Sequence, residues 1–377
     1  MRKVYRKVGG TQEGGQLIIP TETHFMVMEY STQRNLIYLL VINAFLFWQA
    51  GSATGIVLHP DGEPNLITWT DRPNENVIGR WGHYACCVPI SSNCIITNRH
   101  VGGGINIPVE IDGCTYNIAE IWDHNSADLR LVKLYGANLE NFVGIYQSTD
   151  EVGKHFVIAG YGDIRGQLLQ EQDITYGYQW DDSGNGTLRF GTNRILLTVN
   201  DSNIEGLISD IIVADFDGLG EGFSTYYECI AADHDSGCGW FIKVGNAWEV
   251  VGLTRAVEVH YEQGHEGDPN YAIYEQAWFR DSNDPNLLDP DYFDAVRLSS
   301  YTQWLNDTIP EVLPGDLNGD DYVDFSDFAV FAQYWLSYDC KAPNWCLRAD
   351  FEPDGDVDWA DLAEFTNYWL QAIPPPP

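Results

Sequence analysis

Short runs of apolar residues, separated by glycine, asparagine and aspartate, follow one another from residue 54 to about residue 300. Examples are the segments "NCIITNRHV", "DLRLVKLYG", "HFVIAGYGD" and "WEVVGLTRAVEV". Runs of this length, rich in β-branched and aromatic residues and bounded by turn-forming residues, are typical of β-strands. Because no long helical periodicity interrupts them, we predict an all-β domain, with a short helix at its end over residues 294–306.

Residues 36–48, "LIYLLVINAFLFW", form a different pattern, an almost unbroken apolar run. Arg34 precedes this run, and the small residues "AGSA" follow it and end at Ala53. A basic flank, a short apolar run and small residues predict a secretory signal. We therefore interpret residues 1–53 as an N-terminal extension and signal peptide, and the mature protein as secreted, extracellular or cell-surface associated. The run is shorter than the about 20 apolar residues of a membrane span, but an uncleaved anchor stays the alternative because no charge follows before Asp61.

A third pattern is an internal repeat near the end of the chain. The segment "DLNGDDYVDFSDFAVFAQYWL", residues 316–336, is matched by "DFEPDGDVDWADLAEFTNYWL", residues 350–370. Each copy starts with oxygen-bearing side chains at alternate positions and continues into an amphipathic helical pattern. We interpret residues 307–313 as a linker, 314–371 as a small all-α domain of two loop–helix repeats, and 372–377 as a Pro-rich tail.

The acidic start of each repeat has the spacing of a calcium-binding loop. A calcium ion takes 6–8 oxygen ligands, and a tightly wound 12-residue loop supplies them from positions 1, 3, 5, 7, 9 and 12. The candidate ligands of the first loop are Asp316, Asn318, Asp320, the Tyr322 carbonyl, Asp324 and Asp327. Those of the second loop are Asp350, Glu352, Asp354, the Asp356 carbonyl, Asp358 and Asp361. The pattern predicts two Ca²⁺ sites and disfavours an acidic solvated linker, because two loops in register each precede an apolar helix.

The repeat resembles the type I dockerin module over residues 314–371. This resemblance implies calcium binding and a protein partner, which would be a cohesin-like protein or another docking partner. One departure is Asp321 at loop position 6, where glycine is usual for the sharp turn, so we expect a weaker first site. Small hydroxyl residues are frequent in the family at loop positions 10 and 11, where this chain has Phe325 and Ser326 in the first loop and Trp359 and Ala360 in the second.

Three separate segments of the β-rich region carry the residue types that acyl transfer by serine requires. A hydroxyl attacks, an imidazole takes its proton, and a carboxylate holds that imidazole in the right tautomer. His100 follows an apolar strand in "CIITNRHVGGG", Asp128 precedes one in "SADLRLVKL", and Ser236 lies in the glycine-rich turn "ADHDSGCGW". Each of these residues alone is weak support for catalysis.

Taken together, these segments resemble the trypsin/chymotrypsin-like serine peptidases, the secreted bacterial members above all. "VIAGYG" and "VVGLTRA" resemble further segments of that family, and the resemblance covers roughly residues 54–305. It implies a double β-barrel peptidase domain over residues 54–306, with His100 as general base, Asp128 as orienting carboxylate and Ser236 as nucleophile. Asp123 is a nearby competitor of Asp128. The family implies a protein or peptide substrate, no cofactor for catalysis, and an oxyanion hole formed by the backbone N–H groups of His234 and Ser236.

Two residues of the serine segment depart from this family. His234 stands where the family has glycine. It could flip its peptide and remove an oxyanion-hole donor, or it could be held in place by neighbours or fit only once substrate binds. Cys238 stands where the family has a second glycine after the serine; it could pack there or pair with another cysteine, and we favour pairing. A catalytically inactive peptidase-fold binding or scaffold protein is therefore the alternative. Ile230, six residues before the serine, is predicted to lie at the base of the specificity pocket, where it disfavours cleavage after basic residues.

Charge and cysteine content narrow the range of partners. The formal net charge is −35, which argues against a nucleic-acid partner because the chain repels phosphates. All eight cysteines follow the signal, so an exported chain is free to form disulfides. Cys340 and Cys346 are close enough in sequence to form a local disulfide. We expect no membrane association once the signal is removed.

Overall fold

The computed structural model describes residues 2–5, 56–59, 68–171, 173–184, 186–218, 220, 224–259, 271–274, 290–341 and 345–373. These residues belong to one compact unit. The apolar run at 36–48, on which the signal prediction rests, lies outside the described residues. Within the described part of the chain, no helix is long and apolar enough to cross a membrane.

The strands of the described residues are numbered in chain order as β1 (Arg2–Tyr5), β2 (Val57–Leu58), β3 (Gly79–Trp81), β4 (Cys86–Pro89), β5 (Cys94–Thr97), β6 (Val109–Ile111), β7 (Cys114–Asp123), β8 (Arg130–Tyr135), β9 (Gly144–Ile145), β10 (His155–Gly160), β11 (Ile164–Glu171), β12 (Ile174–Asp181), β13 (Arg189–Arg194), β14 (Leu197–Ile204), β15 (Leu207–Asp215), β16 (Cys229–Ile230), β17 (Gly239–Val244), β18 (Ala247–Val259), β19 (Tyr271–Ile273) and β20 (Tyr292–Arg297). The α-helices are α1 (Thr302–Thr308), α2 (Phe325–Gln333) and α3 (Trp359–Asn367). Short 3₁₀ helices lie at Glu75–Val77, Arg99–Val101, Asp182–Gly184 and Leu298–Tyr301.

Six strands close into a barrel in the order β3-β4-β5-β8-β7-β6. Trp81, Ile95 and Val132 are buried in its core, so alternate residues of these strands face inward. Strand β5 pairs antiparallel with β8, and Thr97 lies opposite Arg130. Because β5 ends and β8 begins at this same edge, the loops that carry His100 and Asp128 meet there.

The barrel belongs to the β-rich part of the chain that precedes the C-terminal module; we call this β-rich part the body. The second part of the body is a nine-stranded sheet with the central order β13-β10-β17-β18-β20-β15-β14, and β1 and β9 each pair with β18. Phe156 and Trp240 stack at its centre with ring centroids 4.1 Å apart. Strand β17 begins just after residues 232–238, the turn that contains Ser236 and that we call the serine turn. The sheet therefore fixes the position of this turn. The predicted β-rich body with a barrel is confirmed, whereas closure of this second sheet into another barrel stays a prediction.

The predicted helix over 294–306 is wrong in its first part. Residues 294–297 belong to strand β20, which pairs with both β15 and β18. Phe293, Ala295 and Val296 are fully buried in that sheet, so tertiary pairing outweighs the helical pattern. The helix forms later, as α1, and extends into the segment that we interpreted as a linker.

The C-terminal region consists of two loop–helix repeats, as predicted. Helices α2 and α3 pack through Phe331 and Phe365, whose rings stack 5.5 Å apart. Both helices end earlier than the repeat suggests, at Gln333 and Asn367, and Leu336 and Leu370 beyond them take positive φ angles of 62° and 61°. The predicted local disulfide between Cys340 and Cys346 is present.

Candidate active site and calcium module

Ser236, His100 and Asp128 form one hydrogen-bonded chain. His100 Nε2 lies 2.8 Å from Ser236 Oγ, and His100 Nδ1 lies 2.5 Å from Asp128 Oδ2. The backbone N–H of His100 also donates to Asp128 Oδ1 at 2.7 Å. The side chains of His100 and Asp128 are each only 3% exposed, so the pair is shielded from water. The geometry is that of a nucleophile beside a base whose ring is oriented by a carboxylate.

Asp128 is held by two contacts that the sequence did not reveal. Its backbone N–H donates to the Ser209 hydroxyl at 2.9 Å, and the Asn98 amide donates to its carbonyl at 3.1 Å. Its competitor, Asp123, instead accepts from both Arg130 Nε at 2.6 Å and Arg130 Nη2 at 3.0 Å. The structure therefore places Asp128, and not Asp123, against the imidazole.

The serine turn adopts the backbone shape that glycine would favour. The Asp235 N–H donates to the Ala232 carbonyl at 3.3 Å, which closes a four-residue turn. His234, at the third position of that turn, has a φ of +71°, while Asp233 before it is not in the positive-φ region. A positive φ at the third position alone defines a type II turn. His234 thus adopts a backbone conformation that glycine enters more readily than other residues.

Neighbouring side chains hold His234 in this conformation. Its Nδ1 lies 3.3 Å from Asp163 Oδ1, and its ring packs 4.9 Å from the ring of Tyr84. A left-handed conformation costs a non-glycine residue about 1–2 kcal/mol. These contacts offset that cost, and neither Asp163 nor Tyr84 carried any sequence signal.

The buried Asp235 carboxylate holds the serine turn through two backbone hydrogen bonds. Its carboxylate accepts from the backbone N–H groups of Gly162 at 2.9 Å and Ala232 at 3.0 Å. Burial raises the pKa of Asp235 to about 7. A Cβ at Gly162 would lie 2.7 Å from this carboxylate, so the "AGYG" segment needs a glycine here for the close approach.

Two other predicted residues of this region are buried. Cys238 is a thiol without a disulfide in the structure, which contradicts our slight preference for pairing; its sulfur lies in a tight group with Cys86 and the Asp235 carboxylate. Ile230, the predicted base of the specificity pocket, is fully buried in the core of the body. Its role in specificity stays a prediction.

The candidate calcium loops gather buried carboxylates by the same scheme in both repeats. Asp316, at position 1, accepts from the N–H of Gly319 at 2.6 Å and of Asp321 at 2.8 Å. Asp327, at position 12, accepts from the N–H of Leu317 and of Asp324, each at 2.8 Å. Both carboxylates are almost completely buried, so the loop winds around them.

The second loop repeats this arrangement. Asp350 accepts from the Gly355 N–H at 3.0 Å, and Asp361 accepts from the N–H of Phe351 at 2.6 Å and of Asp358 at 2.7 Å. Burial raises the pKa of Asp350, as it does for Asp316 in the first loop.

Buried carboxylates whose charges repel one another fit a divalent cation with oxygen ligands. In each loop the other predicted side-chain ligands lie between these two carboxylates in the chain. Asp324 and Asp358 also cap the helices that follow, because each accepts from a backbone N–H of the first turn. The same residues therefore fit the ion and start the helix.

The comparison with known families bears on this C-terminal region. Residues 314–370 match the model of the family described as "Dockerin type I domain". This match supports a calcium-binding module that docks with a cohesin partner, and it agrees with the predicted range of 314–371. No curated relative matches the chain.

Proposed function

We propose that the protein is a secreted serine endopeptidase which a calcium-dependent module attaches to a protein partner. The observation that carries the catalytic half of this proposal is the hydrogen-bonded chain from Asp128 through His100 to Ser236. The order of these residues in the sequence and the family resemblance support the same conclusion. We also propose that the β-rich part of the chain is a trypsin/chymotrypsin-like double barrel.

The reaction follows from the positions of the three side chains. Ser236 Oγ attacks the carbonyl carbon of a peptide bond while His100 Nε2 takes the hydroxyl proton, and Asp128 stabilises the resulting imidazolium. The backbone N–H groups of His234 and Ser236 stabilise the negative oxygen of the tetrahedral intermediate. His100 then gives its proton to the leaving amine, and an ester on Ser236 remains. Water hydrolyses that ester by the same sequence of proton transfers.

Substrate preference is proposed from the residue at the predicted base of the pocket. Ile230 offers no carboxylate to pair with a lysine or arginine side chain, so cleavage after apolar residues is favoured. The turn conformation of His234 supports an active enzyme over an inactive scaffold, because it keeps the backbone shape that glycine would take.

The module is proposed to bind two Ca²⁺ ions, one in each loop, through the twelve oxygen ligands named above. Bound calcium neutralises the buried carboxylates and fixes the loops, so helices α2 and α3 present their outer faces to a cohesin-like partner. Phe325 and Trp359, at loop position 10, are 77% and 74% exposed, which suits a direct contact with that partner.

A fluorophosphonate probe tests the catalytic proposal, since it reacts with an activated serine hydroxyl. The calcium-loaded wild type is expected to be labelled, and Ser236→Ala is expected to lose labelling. The chain offers a matched control in Ser183, which also lies in an Asp-Ser-Gly sequence but is exposed on a 3₁₀ helix. Ser183→Ala should label like the wild type. A folded, calcium-loaded wild type that takes up no probe would instead support the inactive binding protein.

A further inference from the structure

The first calcium loop packs against the barrel of the same chain. The Asn138 amide donates to the Leu317 carbonyl at 2.8 Å. A Cβ at Gly319 would lie 2.5 Å from the Ala137 carbonyl oxygen, so the two backbones approach as closely as a glycine permits. The contact therefore involves loop positions 2 and 4, between the proposed calcium ligands.

An ion pair joins the same two regions. Lys133 of strand β8 donates through Nζ to Asp321 Oδ2. The Lys133 side chain is only 8% exposed, and a lysine ammonium that is so buried needs an anionic partner. Asp321 is the residue that departs from glycine at loop position 6, and it holds the left-handed conformation with a φ of +70°. The departure thus supplies the charge that Lys133 requires.

A second basic side chain, Arg348, also contacts both regions. Arg348 donates to the carbonyls of Leu313 and Pro314, each at 3.0 Å, and to the Ser92 hydroxyl at 3.4 Å. Arg348 therefore connects the start of the module with the barrel.

The second loop has no comparable contact among the described residues. Its position 6 is Gly355, and the nearest atom to a Cβ there would be the Cys340 carbonyl oxygen at 3.7 Å, within the module itself. The two loops thus share a calcium-binding scheme but differ in whether the body touches them.

We propose that the first calcium loop is a docking surface for the protein's own barrel, so that calcium binding to this loop stabilises strands β5 and β8. The inference rests on the calcium binding of the proposed function. The contacting groups at Leu317, Gly319 and Asp321 lie between ligand positions 1 and 7, where bound calcium fixes the loop. Lys133 lies opposite Cys94 of β5 in the barrel, so both strands receive this support. The coupling is reciprocal: the docked barrel raises the calcium affinity of the first loop.

Hydrogen exchange in the full-length chain tests this coupling locally. Amides of β5 and β8 are expected to exchange at least about fivefold faster after chelation than with calcium bound, the lower end of typical coupling between sites. Calorimetry of the same sample counts the bound ions. If two ions bind and exchange in β8 does not respond to them, the inference is overturned. If no ion binds, the calcium proposal itself has failed, and the two failures are distinguished by the ion count.

Three variants separate the contact from the calcium site. Asp321→Gly removes the ion pair but keeps a residue suited to the left-handed conformation, so two ions should still bind while the response of β8 shrinks at least about threefold. Lys133→Met should have the same effect, and the double variant should add little, since both changes remove one interaction.

Asp354→Ala removes a ligand of the second loop only, and it should leave the calcium response of β8 as in the wild type. An equal loss of response in Asp354→Ala would contradict the specific role of the first loop.

Discussion

The serine turn and the first calcium loop both place a non-glycine residue where the families they resemble use glycine. His234 in the turn has a φ of +71° and Asp321 in the loop has a φ of +70°. Both residue types are among those that enter this region most readily. The two positions therefore keep the required backbone shape in spite of the substitution.

The difference between the two positions lies in what the side chain does there. His234 contacts Asp163 and Tyr84 within the body, whereas Asp321 pairs with Lys133 across the contact between module and body. Gly355, the equivalent of Asp321 in the second loop, has a φ of +102° and no side chain to use. At both of these positions the non-glycine residue thus adds a side-chain contact while it keeps a positive φ angle.

The largest expected effect is a loss of catalytic rate at the site of Ser236 with no change in calcium binding by the loops. Asp128→Asn should lower kcat by about 10⁴-fold, because the amide would hold the wrong imidazole tautomer. Calcium binding should not change. Peptide hydrolysis and calorimetry on one sample measure both quantities.

Asp123→Asn is the matched control for that experiment. It removes the partner of Arg130 but leaves the imidazole contact intact, so its kcat should stay within about tenfold of the wild type. Equal losses in the two variants would mean that Asp128 acts through stability rather than through His100.

The next largest effect concerns calcium, which we propose for the two acidic loops and not for the serine turn. Asp327→Ala and Asp361→Ala should each abolish one of the two calcium sites, because each removes a buried ligand at position 12. Chelation of the wild type should unfold the module and reduce the helical circular dichroism of α2 and α3, since ion binding and folding are linked. The body should stay folded and should still bind the fluorophosphonate probe.

This expectation has a definite contrary result. A module whose melting is the same with and without a chelator would show that its buried carboxylates need no cation.

Prediction from the sequence succeeded best for elements whose structure depends on neighbouring residues in the chain. The two loops repeat at a fixed offset, so the helices that follow them could be predicted from spacing alone, and the same spacing gives the candidate ligands. The prediction of a helix over 294–306 was wrong in part, because residues 294–297 form a strand that depends on pairing with two distant strands.

The partners of the site residues could not be predicted for the same reason. Ser209 holds Asp128 across 81 residues of sequence, and Lys133 reaches Asp321 across 188. Only the fold brings these residues together.

A third prediction compares how the two regions neutralise buried carboxylates. The loops suit a cation, whereas Glu228 in the body takes a proton, because burial raises its pKa to about 8. The native state holds this proton between roughly pH 4.5 and pH 8, where the unfolded chain has released it, so stability falls as the pH rises through this window.

Glu228→Gln should remove this contribution because the amide is neutral at every pH. Urea unfolding should show a gain of about 1–3 kcal/mol over the wild type at about pH 9 and little difference at about pH 4. Thr225 donates to Glu228 Oε2 through both its N–H and its hydroxyl, at 2.6 and 2.8 Å, and the glutamine oxygen can accept the same bonds. A gain of equal size at both pH values would point to packing instead of protonation.

The smallest expected effect tests the comparison at the turn itself. His234→Gly relieves a left-handed non-glycine residue, worth about 1 kcal/mol, but it loses the contacts with Asp163 and Tyr84 and adds freedom to the unfolded chain. The free energy of unfolding should therefore change by less than about 1 kcal/mol. Because the turn already has the glycine conformation, kcat should change by less than about tenfold. An increase of about 100-fold or more would mean that His234 keeps an oxyanion-hole donor out of place, and the turn would then differ from the loop in function as well as in contacts.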